Sequence, residues 1–352
     1  MGARGVKMAG FRDDYRADRE AMEALFADLK AGRLENAYFF HGAEEFLKAR
    51  AVDRIRGLAL AQGMELMDSV ILEGCGFREL FRQLDTPPMI SPRRLVIVRD
   101  DPRFSGAGKA SQEDEALARE LPGHLSPATV LVYLMHGEIS PKQAQVKLVA
   151  PHVRLVRFPQ LAAQDASRWV EAMARKRVAL APGAAGFLYE YAGGSLSQVD
   201  SELDKLAAYC GGREATQEDC RVICVAAVEN RVFDMIADLK AGRSDRALAA
   251  YRGLLASGEA PARILAAISG QLRVWAWLPQ MQAAGLSAEA AAKALGVQRF
   301  VVDRALRGRP EAPDRWLPDL RACAEADWAF KSGQRSEESA VEALLLRIAA
   351  RA

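Results

Sequence analysis

Residues Phe39–Arg50 read F-F-H-G-A-E-E-F-L-K-A-R, and this stretch decides the fold. A working phosphate-binding loop has the pattern G-x-x-x-x-G-K-[ST]. Its second glycine lets backbone N–H groups close on the phosphates, its lysine reaches the β- and γ-phosphates, and its hydroxyl holds magnesium. Gly42 and Lys48 keep that spacing here. Leu47 stands where the second glycine belongs and Ala49 where Ser or Thr belongs. Glu44 and Glu45 would sit among phosphate oxygens and repel them. An apolar run, Ala37–Phe40, precedes the loop, and a helical pattern, Glu44–Leu60, follows it. The strand–loop–helix context survives while the nucleotide site does not, which points to a nucleotidase scaffold reused for binding.

Outward from this loop, the first ~155 residues alternate between strand-like and helix-like segments. Ala21–Ala31 is helical, with Leu25, Phe26 and Leu29 on one face. Met67–Leu72 reads as a strand, Phe77–Leu84 as a short helix, and Leu95–Val98 as a strand. Ser105–Asp114 reads as a loop entering a helix. Val130–Met135 is a further buried strand, Pro141–Leu148 a helix and Val153–Phe158 a last strand. Strands separated by helices imply a parallel sheet with helices on both faces.

After Pro159 strand signals vanish and alanine-rich helical periodicity takes over. Helices are expected over Asp165–Lys176, Pro182–Ala192, Ser195–Cys210 and Thr216–Val225, the last with Thr216 as its N-cap. From Asn230 the segments Val232–Ala241, Ser244–Ala256, Ala260–Gln280, Ser287–Leu295, Gln298–Gly308, Pro313–Lys331 and Glu337–Ala350 all read as helices. At 352 residues the chain suits three domains: an α/β domain at 1–158, a small helical domain at 159–226 and a helical bundle at 227–352.

Composition narrows the function. The formal net charge is +2, small for a protein that grips nucleic acid alone. Five scattered cysteines argue against a disulfide framework and for a reducing cytoplasm. Cys220 and Cys224 offer two ligands for a metal, but no second pair or nearby histidine completes a zinc site. Met1–Arg19 is polar, unlike a signal peptide. No run approaches the roughly 18 apolar residues of a membrane span.

Four segments bear on mechanism. Val130–Met135 lies where a nucleotidase carries the acids that hold magnesium and orient water, but it runs into His136-Gly137, with Glu138 displaced. Asp85–Val98 reads D-T-P-P-M-I-S-P-R-R-L-V-I-V. Thr86-Pro87-Pro88 must be extended or turned, which puts Met89 and Ile90 on a loop. The pair either tucks under the domain or projects as a hydrophobic plug into a partner's pocket, with Arg93 and Arg94 as a polar rim. Ser287–Leu306 resembles a helix-turn-helix, with Gly296 at the turn and Gln298, Arg299 and Asp303 outward, or else it is two packed helices of the bundle. Arg50, Arg54 and Arg56, with Lys48, form a basic helix face. Trp275 and Trp277 point to different sides of one helix, one to core and one to a boundary.

Together these stretches resemble the delta subunit of bacterial DNA polymerase III, the clamp-opening subunit of the clamp loader. The resemblance runs through Ala37–Arg50, Pro88–Val98, Gly193–Ala208, Val232–Leu255 and Pro261–Arg273. It implies an AAA+-like N-terminal domain without ATPase chemistry, a helical lid and a C-terminal collar in a hetero-pentameric ring with tau/gamma and delta-prime subunits. It implies that Met89 and Ile90 enter a pocket of the sliding clamp (the beta subunit), and that primer-template DNA is met within the assembly. The Ser-Arg-Cys motif that marks delta-prime is absent, which favours delta. No cofactor, membrane contact or catalysis by this chain alone is expected; it would be one subunit of a DNA-directed DNA polymerase, a nucleotidyltransferase, in the cytoplasm. The rival readings are an active AAA+ ATPase and a helix-turn-helix regulator that uses Gln298–Arg304.

Overall fold

The computed structural model describes residues 11–105, 112–140, 143–307 and 312–351. Most of the loop expected at 105–114, and the first two residues of the helix expected at Pro141, lie outside the described residues. The chain divides into two compact units between Gln160 and Leu161.

The N-terminal unit is built on five parallel strands: β1 (Ala37–His41), β2 (Ser69–Glu73), β3 (Arg94–Arg99), β4 (Thr129–Leu134) and β5 (Arg154–Arg157). Their order across the sheet is β2-β3-β4-β1-β5, an AAA+-like arrangement. The central strands are buried on both faces, and that is why they read as continuous apolar runs rather than alternating ones. Ala37 and Phe39 of β1, Val96 and Val98 of β3, and Leu131 and Tyr133 of β4 meet Phe77, Leu80, Leu121 and Val146 in one core. These last four come from the helices Phe77–Leu84, Gln112–His124 and Ala144–Val149. The intervening residues, among them Tyr38, Phe40 and Val132, turn the other way and are equally buried. The helices Phe11–Lys30 and Glu45–Ala59 cover that side.

Several boundaries differ from the sequence reading: the helix expected from Val232 starts at Val228, the one expected over Pro313–Lys331 is a short turn followed by a helix from Leu317, and two more lie in the N-terminal unit. The first helix begins at Phe11 rather than Ala21, because its first ten residues are charged and show little apolar period; Arg16 and Glu20 pair one turn apart along it at 2.8 Å. Strand β2 begins at Ser69, and Glu65–Asp68 forms a single helical turn before it.

Among the described residues the C-terminal unit is built of helices, as its periodicity implies, with one isolated β-bridge between Leu180 and Ala215. The helices Ala163–Ala174, Ala184–Tyr191, Leu196–Cys210 and Gln217–Ile223 pack through Val170, Leu188, Val199, Leu203 and Leu206. Ser195 caps Leu196–Cys210 by accepting from the Gln198 N–H at 3.2 Å. Thr216 and Asp219 form a reciprocal capping box at the next helix, and Arg213 clasps Asp219 with two bonds of 2.7 and 2.6 Å. A second core draws on Val228–Lys240, Ser244–Ala256, Pro261–Ala283, Leu317–Lys331 and Glu337–Ala349, and includes Val232, Ile236, Ile264, Leu272, Val341 and Leu345. Trp275 packs on Trp316 at 4.8 Å between ring centres, while Trp277 is exposed.

Candidate functional site

The phosphate loop is closed by its own chain. Gly42 has φ +116°, and a Cβ there would lie 2.3 Å from the Phe158 carbonyl oxygen, so only glycine fits. Two of the loop amides already have acceptors elsewhere in the chain: the Gly42 N–H donates to the Gly137 carbonyl at 2.6 Å and the Glu44 N–H to the Phe158 carbonyl at 3.0 Å. Lys48 is 0% exposed, and its Nζ donates to the Met135 carbonyl and the Glu45 carboxylate, each at 2.7 Å. It therefore does not share the outer face of Arg50 and Arg54, where the sequence reading had put it. Leu47 and Ala49 flank it, Leu47 in the core and Ala49 on the surface.

The charges at this end of the sheet serve structure. Burial pushes the Glu44 carboxyl up to about 7, against the pull of the Phe46 N–H. Burial pushes His41 down to about 4, so the ring is neutral near pH 7, and its Nδ1 accepts from the Ile139 N–H at 3.3 Å. Glu138, the displaced acid, pairs with Arg157 at 2.8 and 2.9 Å. Among the described residues no three His, Cys, Asp or Glu side chains gather as metal ligands, and no helix is long and apolar enough to cross a membrane. Cys220 and Cys224 are buried.

The second informative stretch forms the loop between the helix Phe77–Leu84 and β3. Met89 is 70% exposed and Ile90 64% exposed. The pair is therefore not tucked under the domain. The backbone beneath them is fixed. The Asp68 carboxylate, wholly buried, accepts from the N–H groups of Met89, Ile90 (3.1 Å) and Ser91 (2.7 Å). These bonds, the Met89 one foremost, hold the Asp68 carboxyl far below the usual carboxylate range. Ser91 Oγ accepts from the Ala61 N–H at 3.0 Å, and the Arg93 N–H donates to the Ala59 carbonyl at 3.0 Å. Arg93 is half-buried, with its guanidinium 3.4 Å from the Asn36 side-chain oxygen. Arg94 is buried, and its guanidinium donates to the Met67 carbonyl at 3.3 Å and the Gln83 side chain at 2.9 Å. Leu66 and Met67, on the turn that supplies Asp68, are also exposed. Sequence reasoning missed Asp68; the one available signal was an acid set in the apolar run L-M-D-S-V-I-L.

The helix-turn-helix candidate forms two helices, Ala288–Leu295 and Arg299–Arg307, with Gly296 left-handed at the turn. Of its would-be reading residues Gln298 is exposed as expected, while Arg299 and Asp303 are engaged within the protein. Arg299 lies mostly buried between Glu289 (3.8 Å) and Asp303 (3.7 Å). Arg304 bonds Asn230 at 2.6 Å and sits 4.0 Å over the Phe233 ring. Phe300 presses on Gly194, where a Cβ would lie 2.7 Å from the ring.

Residues 38–159 match the family model described as DNA polymerase III, delta subunit. Residues 229–348 match the one described as DNA polymerase III delta subunit, C-terminal domain. The DNA polymerase III subunit delta of Bacillus subtilis (strain 168) is 24% identical over 333 residues, covering 92% of this chain and 96% of the relative. The solved structure of the Bacillus subtilis DNA clamp loader delta protein (YqeN) has the same fold, with TM-score 0.70 and 23% identity, over 94% of this chain and 99% of that one.

Proposed function

Because the chain belongs to the DNA polymerase III delta-subunit family and so has its role in the clamp loader, we propose that it binds the sliding clamp through Met89 and Ile90 and biases the clamp ring towards its open state. The observation that carries this reading is the exposure of two adjacent large apolar side chains on a loop whose backbone is anchored underneath. Such a pair fills a partner's pocket without a large ordering cost, the usual make-up of an interface hot spot. Opening follows if the pair binds the open or strained ring more tightly than the closed one, since a ligand shifts an equilibrium only by its differential affinity. Arg93 belongs to the polar rim. Arg94 supports the loop from inside.

The closed phosphate loop agrees with a subunit that does no ATP chemistry and leaves nucleotide binding to its neighbours. We assign residues 1–158 to clamp binding, 159–226 to a lid and 227–352 to a collar that joins a hetero-pentameric ring with tau/gamma and delta-prime subunits. Support for the collar is the hydrophobic core drawn from helices between residues 228 and 348. Primer-template DNA is met within that ring, mainly through backbone phosphates, in the cytoplasm.

The test is a titration of the purified chain against the sliding clamp of the same source, without nucleotide, for wild type and Met89→Ala/Ile90→Ala. The double variant should bind more weakly by about 1–4 kcal/mol, roughly five- to a thousandfold. Unchanged affinity in a folded double variant would remove the site.

A further inference from the structure

The loop that carries Met89 and Ile90 belongs to no helix or strand, and prolines at 87, 88 and 92 bracket it. A segment of this kind has no ladder of backbone bonds to fix it, and ordering it on binding would cost affinity. Three consecutive N–H groups, those of Met89, Ile90 and Ser91, nevertheless converge on one carboxylate. That carboxylate is supplied by Asp68, 21 to 23 residues earlier in the chain. The Met89 and Ile90 amides are thus tied to a buried acid while both side chains are exposed. Asp68 is itself anchored by position, at the junction of the turn Glu65–Asp68 and strand β2. The Arg94–Met67 bond ties the same turn to the start of β3.

We propose that Asp68 is a positioning residue for clamp binding, whose carboxylate gathers three loop amides and holds Met89 and Ile90 projecting before the partner arrives. This rests on the reading of Met89 and Ile90 as the clamp contact. Asp68 touches no clamp atom in this account; it acts through the loop. A carboxylate is suited to the task because it only accepts, has two oxygens, and makes stronger bonds to N–H groups when charged.

The experiment is a mutant cycle on the full chain: wild type, Asp68→Asn, Met89→Ala/Ile90→Ala and the triple variant, titrated against the sliding clamp. Asn keeps the side-chain shape, removes the charge and leaves one acceptor oxygen. Asp68→Asn should weaken binding by about ten- to a hundredfold, with little further loss in the Met89→Ala/Ile90→Ala background. Amide hydrogen exchange on the free chain gives a second reading that does not depend on measurable clamp binding. The Met89, Ile90 and Ser91 amides should exchange slowly in wild type and fast in Asp68→Asn. If Asp68→Asn binds like wild type while Met89→Ala/Ile90→Ala binds weakly, the clamp reading stands and the role of Asp68 falls. That role falls equally if the Asp68→Asn loss recurs in full in the triple variant, or if the three amides exchange slowly without the charge. If Met89→Ala/Ile90→Ala binds like wild type, the clamp reading falls and takes this inference with it.

Discussion

The Lys48 ammonium donates to the Met135 backbone carbonyl at 2.7 Å. In a nucleotide-binding relative of this loop the lysine reaches out to phosphate oxygens. Here it reaches inward, to the residue that follows β4, and ties the helix Glu45–Ala59 to the sheet. An ammonium with no exposed surface needs partners for its donors, and Met135 and Glu45 accept from two of the three.

The departure from a working phosphate loop is therefore not confined to the two substituted motif positions. Restoring the motif by Leu47→Gly and Ala49→Ser should not restore ATP binding, because the loop amides and Lys48 remain engaged by Gly137, Phe158 and Met135. Equilibrium dialysis with labelled ATP checks this. Saturable binding by the double variant would show that the loop opens more easily than its bonds imply.

Gly42→Ala should destabilise the N-terminal unit by roughly 2–4 kcal/mol, since it combines a left-handed backbone with overlap against backbone atoms that cannot rotate away. Urea unfolding followed by circular dichroism reads this directly. A shift in midpoint too small for 1 kcal/mol would mean that β5 moves aside at little cost.

Glu44 gives the protein a pH signature. Its carboxyl titrates at about 7 in the fold against 4.5 when unperturbed. An acid whose folded value is raised contributes fully below its unfolded value, and that contribution is lost as the pH rises towards the folded value. Glu44→Gln should thus leave stability little changed near pH 4.5 and raise it at pH 8, by at most about 3 kcal/mol. Melting temperatures of both proteins across that range provide the check. Parallel curves would refute the buried-acid account.

His41 works in the opposite sense. Burial lowers its folded value to about 4 from 6.5, so its contribution is complete above pH 6.5 and is lost as the pH falls towards 4. His41→Gln should flatten the loss of stability over that window while lowering stability at pH 7, where the neutral ring packs among buried neighbours and accepts from Ile139. An unchanged acid limb would place that titration elsewhere.

Arg299→Ala separates a packed helix from a reading helix. Its guanidinium faces Glu289 and Asp303 and is largely out of water, so the variant should lose stability by about 1 kcal/mol, with no sequence-selective DNA binding to lose. Selective binding by the isolated wild-type chain, abolished in this variant, would reinstate the regulator reading.

The fold was largely legible because its elements announce themselves locally. Strands β1, β3 and β4 are short apolar runs between breakers, and the second half keeps a helical period with Ser and Thr caps. What escaped was set by partners distant in sequence. Met67 looks like strand and lies in a turn, because Asp68 is drawn to amides more than twenty residues away. Lys48 and Arg94 look like surface cations, and each is buried on a carbonyl of another element. The exposure of Met89 and Ile90 was an open choice for the same reason: nothing within Asp85–Val98 says which way its backbone faces.

The Asp68 bonds also bear on mimicry. A synthetic peptide copying residues 85–94 would carry both apolar side chains yet lack the acid that orders them, and would enter a pocket only after freezing its own disordered ensemble. On the proposed reading, the recognition surface is a discontinuous epitope, assembled from two stretches of chain. An inhibitor patterned on it would need a covalent brace, such as a macrocycle, in the place that the carboxylate fills.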